Sequence, residues 1–170
     1  MTHVDRTPRL VLRPFVENDL NQLELILGDS VVMEFSDHGP LDAAEQLEWL
    51  KRMTDSAHVL LVRAVERTSN NALIGYISLA NDPQRVSRND AELGFRFARA
   101  FWGSGYAFEA AKAMIDLATS RPEIKRLVAF VDPHNKRSVR VLEKLGMVWD
   151  GDVMFDGYDY PDHRFVLHLT

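Results

Sequence analysis

The stretch "AELGFRFARAFWGSGYAFEAAKAMIDLATSRP", residues 91–122, decides how this chain is read. It leaves an alternating apolar run, passes through "WGSGYA" (Trp102 to Ala107) and enters a helical pattern at once. A strand that feeds a glycine turn at a helix N-terminus suits an anion. The first-turn amides there have no partner within the helix, and the dipole adds partial positive charge. Gly103 and Gly105 let the main chain approach closely and take positive φ. The turn has neither the Gly-Lys-Ser/Thr of a Walker loop nor a GxGxxG fingerprint, so nothing in it indicates ATP or NAD. Taken alone, "GSG" is equally a plain turn between strand and helix.

Working outward, "RLVLR" alternates as a short strand ended by Pro14, and Asn18 or Asp19 can cap a helix carrying Leu20, Leu23 and Leu27 up to Gly28. Asp42 can cap a second helix with Leu47 and Leu50 on its buried side. "AHVLLVRAV" and "ALIGYISLA" read as a hairpin around "SNN". The polar loop "NDPQRVSRN" precedes the strand "AELGFRF". The helix over 105–119 shows a stripe of Phe108, Ala111, Ile115 and Ala118, and Pro122 closes it. "KRLVAFV" is apolar nearly throughout, as in a strand covered on both faces. Asn135 or Asp132 caps "NKRSVRVLEKL", with Gly146 at its C′ position. "MVWDGDVMF" and "HRFVLHL" form a closing hairpin around "DGYDYPD". The order β-α-α-β-β-β-α-β-α-β-β predicts an α/β (α+β) fold: one mixed, mostly antiparallel twisted sheet with helices on both faces.

The chain has 170 residues, 46% of them hydrophobic, which suits one globular domain over 1–170 with a sizeable core. It contains no cysteine, which excludes disulfides and thiolate metal sites and fits a reducing cytoplasm. No stretch approaches 18 apolar residues, so no membrane segment is expected. A net charge of −5 argues against general nucleic-acid binding. The charges are also segregated. Residues 14–58 hold ten Asp/Glu against Lys51 and Arg52, and 121–144 hold seven Lys/Arg against three acids. The tail from 147 has five Asp against Arg164. Most such charges simply face solvent.

"TPRLVLRPFVENDL", "ELGFRFARAFWGSGYAFEAAKAM" and "VDPHNKRSVRVLEKLGM" occur together in this order. The set closely resembles the GNAT superfamily of acyl-CoA-dependent N-acetyltransferases, within it the RimJ/RimL-type branch that acetylates ribosomal-protein N-termini. The resemblance runs from about residue 8 to the end. It implies that Trp102, Gly103, Ser104, Gly105, Tyr106 and Ala107 form the pyrophosphate loop of acetyl-CoA, Trp102 standing where the family has Arg or Gln. It implies that the backbone of Phe95, Arg96 and Phe97 takes the pantetheine arm, beside a strand that splays away. Asn135 matches the asparagine that opens the last helix and reaches the same arm, although on spacing alone it is as readily a simple N-cap. No metal is implied. A homodimer is compatible with the family.

Acetyl transfer needs a neutral amine, a donor for the oxyanion and a proton for the leaving thiolate. The family's tyrosine acid, seven residues past the asparagine, is here Leu142. Ser138 stands where the RimL-like branch has its suggested acid and where coenzyme A is also contacted; Tyr106 is the weaker candidate. Glu92 is the best base, on the strand face of Gly94 and Arg96, with Asp90 and His134 in reserve. In this fold the two acidic segments flank the acceptor, while Arg137, Arg140 and Lys144 border the phosphates. The acceptor is therefore expected to be a cationic amine: a protein or peptide N-terminus, a polyamine or an aminoglycoside-like amine. Leu142 keeps a different reading open, a non-catalytic acyl-CoA-binding or interaction domain.

Overall fold

The computed structural model describes residues 4–55 and 60–170. Eight strands form one sheet in the order β1-β2-β3-β4-β5-β6-β8-β7. They are β1 (Asp5–Arg6), β2 (Leu10–Arg13), β3 (Leu60–Arg67), β4 (Leu73–Ala80), β5 (Asp90–Phe97), β6 (Arg126–Val131), β7 (Val148–Val153) and β8 (Asp162–His168). The helices are α1 (Leu20–Leu27), α2 (Ala43–Asp55), α3 (Tyr106–Thr119) and α4 (Lys136–Lys144). The order expected from sequence is present, with the two-residue β1 added at the front. The expected start of the β3 strand at residues 57–59 lies outside the described residues. No helix among the described residues is long and apolar enough to cross a membrane.

Every neighbouring pair of strands is antiparallel except β5 and β6. That parallel pair is short, registered only from Asp90↔Arg126 to Glu92↔Val128. One face of the sheet buries Leu10, Leu12, Ile77, Leu93 and Leu127 under Ala111 and Met114 of α3 and Leu142 of α4. The other buries Phe15, Leu23, Ile26, Leu50 and Val62, with α1 and α2 as the cover. Helices therefore cover both faces.

Local sequence explains most of the elements. Asp42 and Glu45 form a reciprocal capping box before α2, at 2.9 and 2.8 Å. Gly146 takes φ +85 after α4, and the amides of Gly146 and Met147 close back onto Glu143 and Leu142. Asn71 takes φ 56 in the β3–β4 turn, where asparagine tolerates the left-handed region.

Three details differ from the sequence reading. Asp19 stands at the N-cap position of α1 but gives that helix no side-chain cap; its carboxylate is occupied by Arg13 at 2.8 and 2.9 Å and by the Val16 amide at the start of the preceding turn. A short 3-10 turn, Glu17–Asp19, leads into α1 instead. Leu47 is 39% exposed, and Gln46 takes its place inward, donating to Glu24 and to the Leu41 carbonyl. In α3 the buried stripe runs through Ala110, Ala111, Met114 and Ala118, which leaves Phe108 and Ile115 at its margin.

Candidate active site

Where β5 and β6 part beyond Glu92 and Val128, a cleft of about 660 Å³ opens between them. Leu93 to Phe97 line one wall and Ala129 to Asp132 the other. Beyond Glu92 the outer edge of β5 has no registered strand partner, so its backbone groups face the cleft.

At one end lies the glycine turn. Gly105 is the N-cap of α3 at φ +81, with no side-chain cap, which leaves the first-turn amides to another acceptor. Gly103 has φ +75, and a Cβ built there would meet nothing within 4 Å. A Cβ on Gly105 would meet the Arg9 guanidinium at 3.4 Å. Backbone of this conformation beside a cation fits a pyrophosphate. Trp102 holds the turn in place: its indole N–H donates to the Phe97 carbonyl at 2.8 Å, and the Arg137 guanidinium lies 3.7 Å over its ring. Arg9 was not legible as a site residue. It donates to the Ser104 carbonyl at 2.9 Å, lies 4.4 Å over the Tyr106 ring and is held by Glu109 at 2.6 Å. Partial burial acts to raise the Glu109 carboxyl, but the Thr7 hydroxyl and Arg9 bring it below its ordinary value.

Trp102, Gly103, Gly105, Tyr106 and Ala107 thus border one cleft together with Phe95, Arg96, Phe97, Asn135 and Ser138. Ser104 does not line it and contributes its carbonyl to Arg9. The Arg96 guanidinium is turned to Met33 and the Tyr76 hydroxyl, so its backbone is the part nearer the slot. The Asn135 side chain accepts from the Ser138 amide at 3.3 Å, which makes it an N-cap as well as a lining residue. Ser138 lies on the first turn of α4, and Leu142, 1% exposed, closes the floor one turn on. Arg137, Arg140 and Lys144 line the same end.

Glu92 does share the face of Arg96, but both its oxygens are bound by Arg85 at 2.7 and 2.8 Å and it does not line the cleft. Here Glu92 anchors Arg85 through both of its carboxylate oxygens. Its hydrogen bonds raise the Arg85 guanidinium further, and that guanidinium stacks on Phe130 and Phe155 at 5.1 and 4.4 Å. Asp90 is buried at the far end of β5 in a two-bond contact with Arg126, at 2.9 and 2.6 Å. His134 is exposed and turned onto Asp132 at 2.9 Å. The acids that do line the cleft are Asp37, Asp132 and Asp162. Among the described residues no group of three His, Cys, Asp or Glu side chains is placed to hold a metal ion.

Comparison with known proteins agrees with this geometry. The family model described as "Acetyltransferase (GNAT) domain" matches residues 9–148. An uncharacterized Bacillus subtilis protein, YkkB, is 31% identical over 145 residues, covering 83% of each chain. Escherichia coli spermidine N(1)-acetyltransferase is 25% identical over 160 residues, 93% of this chain and 83% of that one. The structure of a GNAT-family acetyltransferase from Bacillus anthracis superimposes with a TM-score of 0.86 at 23% identity, over 98% of both chains. A glycine-lined helix start, a sheet that parts beside it and a family match across both motifs place this chain in the GNAT acetyltransferase family.

Proposed function

We propose that the protein transfers the acetyl group of acetyl-CoA to a primary amine on a cationic acceptor, foremost the N-terminus of a protein or peptide. The observation that carries this reading is the polarity of the cleft. One end has amides, Arg137, Arg140 and Lys144; the other has Asp37, Asp132 and Asp162 around Arg85, whose charge Glu92 offsets. The slot between β5 and β6 joins them. Pyrophosphate belongs at the first end and an ammonium at the second, so the thioester falls between.

On this reading the edge of β5 from Phe95 to Phe97 pairs with the pantetheine arm, and the Asn135 amide reaches it. The amine nitrogen attacks the thioester carbon; the C–N bond forms, the C–S bond breaks, and the sulfur leaves with the electron pair. An ammonium acceptor gives up two protons, of which the thiolate takes one. Ser138 supplies the hydroxyl for that thiolate, in the place where Leu142 offers none. A coenzyme A thiolate is a fair leaving group, so a weak acid slows the reaction without preventing it.

The resemblance to the RimJ/RimL-type branch supports a peptide N-terminus. A polyamine is the second acceptor, supported by three carboxylates where a single ammonium needs one, and by the similarity to the spermidine enzyme. An aminoglycoside-like amine fits the same charge. The test is thiol release from acetyl-CoA with a panel of peptides, polyamines, aminoglycosides and neutral or anionic amines. Amine-dependent release, fastest with cationic acceptors, is the expected result. Binding of coenzyme A without release on any amine would establish instead a non-catalytic acyl-CoA-binding domain, the reading that buried Leu142 favours.

A further inference from the structure

With Glu92 engaged by Arg85, the acceptor's proton needs another destination. The register Val131↔His163 brings Asp132 and Asp162, the next residues outward, to the same end of the sheet. Asp37, from the segment after α1, faces them across the cleft. The three carboxylates are not equivalent. Asp37 accepts from the Tyr158 hydroxyl. Asp132 accepts from the Tyr160 hydroxyl at 2.6 Å and from the amide and ring of His134. Burial works to raise the Asp132 carboxyl, but these donors outweigh it and hold it below its ordinary value. Asp162 is 8% exposed and lines the cleft, yet among the described residues no side chain donates to it. A buried carboxylate without a donor is costly unless it meets a cation.

Resting on the acetyltransferase reading above, we propose that Asp162 binds the acceptor's ammonium and takes its proton as the nitrogen attacks, with Asp37 and Asp132 holding the rest of a cationic acceptor. An N–H bond of the ammonium breaks and an O–H bond forms on Asp162. The freed lone pair makes the C–N bond, the second proton passes to the thiolate, and Asp162 returns its proton to solvent through the open mouth.

The electrostatics of the site suit that exchange. Facing Asp162 are Asp132 at the end of β6, Asp37, Arg85 with Glu92, and Tyr158 and Tyr160 from the β7–β8 connection. His163, its neighbour on β8, is turned to Asp152 at 2.6 Å. Burial first, then repulsion from Asp132 and Asp37, outweigh Arg85 and push the Asp162 carboxyl up to about 6. Relative to an ordinary carboxylate, this narrows the gap to an amine by about two decades.

The experiment compares wild type with Asp162→Asn across pH 5 to 10, as kcat/KM. The probes are a linear triamine, an aminoglycoside and a basic hexapeptide; acetyl-CoA affinity is measured by calorimetry. Wild type is expected to rise through a limb near pH 6 and then level until the amine itself loses its charge. The variant is expected to fall at least ~100-fold at pH 7 and to climb about tenfold per pH unit toward the amine pKa, because only bulk solvent then supplies neutral amine. Its acetyl-CoA affinity should match wild type. A variant within about threefold of wild type, or a loss equal at every pH, overturns the assignment of Asp162 alone. A wild type that acetylates none of the three probes while binding acetyl-CoA overturns the acetyltransferase reading and this inference with it. Should Asp162→Asn fail to bind acetyl-CoA, Asp162→Ser is read by the same criteria.

Discussion

Gly105 combines a left-handed φ of +81 with a position against the Arg9 guanidinium. Gly105→Asp should strain the turn and set a carboxylate against the Arg9 guanidinium, where it adds negative charge beside the phosphate loop. Calorimetry should show coenzyme A affinity lowered at least ~10-fold, about 1.4 kcal/mol, in a protein whose circular dichroism is unchanged. Ser138→Ala should lower kcat roughly 10- to 100-fold and leave acetyl-CoA binding intact, as for a group that acts in the transition state. A variant with full kcat would show that Ser138 only lines α4. Asp162 carries a stability signature of its own. Its carboxyl lies at about 6 in the folded protein against 3.8 ordinarily, so the native state holds the proton more tightly than the unfolded chain does. The contribution of Asp162 to stability therefore falls as pH rises from about 4 to 6, and its cost stands in full above that range. Asp162→Asn should be more stable than wild type by on the order of 2–3 kcal/mol at pH 8 and equal to it near pH 3, as read by urea unfolding. Equal stability at both pH values would show that the folded protein places no strain on this carboxylate.

At the scale of elements, the two-bond contact between Asp90 and Arg126 fastens β5 to β6 where they are still paired, just before they part. Asp90 is buried, but the Arg126 side chain is 35% exposed, so Asp90→Ala removes a partly solvated pair. The expected cost is about 1 kcal/mol in urea unfolding, with acetyl-CoA affinity reduced because the slot's width is no longer fixed. Elements whose signals lie within a few residues were legible in the sequence. The Asn135 cap and Gly146 close of α4, the Asp42 box of α2 and the two hairpins are all local chemistry. So was the glycine turn, because strand, turn and helix follow one another directly. Contacts made by topology were not legible. Alternation placed Glu92 on the correct face, but Arg85 reaches it from a loop that spacing cannot fold. Arg9 looked like the edge of a short strand until the sheet laid β2 beside α3. Asp162 was counted only within an acidic tail. Its one sequence signal, a carboxylate directly before the apolar run "HRFVLHL", takes on meaning only once β8 is seen to begin in the cleft.

For the molecule as a whole, three carboxylates, Asp37, Asp132 and Asp162, gather around Arg85 in the cleft, while Arg137, Arg140 and Lys144 belong to α4. Such a field concentrates a cationic acceptor, and salt screens it within about 10 Å at 0.1 M. KM for the best cationic amine should rise between low and moderate salt while kcat stays nearly constant, as measured by thiol release. A KM indifferent to salt would mean that the acidic segments merely face solvent. The parted strands have a consequence of a different kind. Within the sheet, among the described residues, three registered pairs join strands β1–β5 to β6, β8 and β7. In a strand, alternate amides point to opposite neighbours, so between Leu93 and Phe97 some N–H groups are directed away from β4 toward the opening. These amides should exchange with deuterium quickly in the free protein, in the middle of a sheet whose flanking strands exchange slowly. Coenzyme A, as the missing rung between the halves, should slow them and raise the melting temperature together. This short seam would then be a meter of cosubstrate occupancy, legible by mass spectrometry without any turnover.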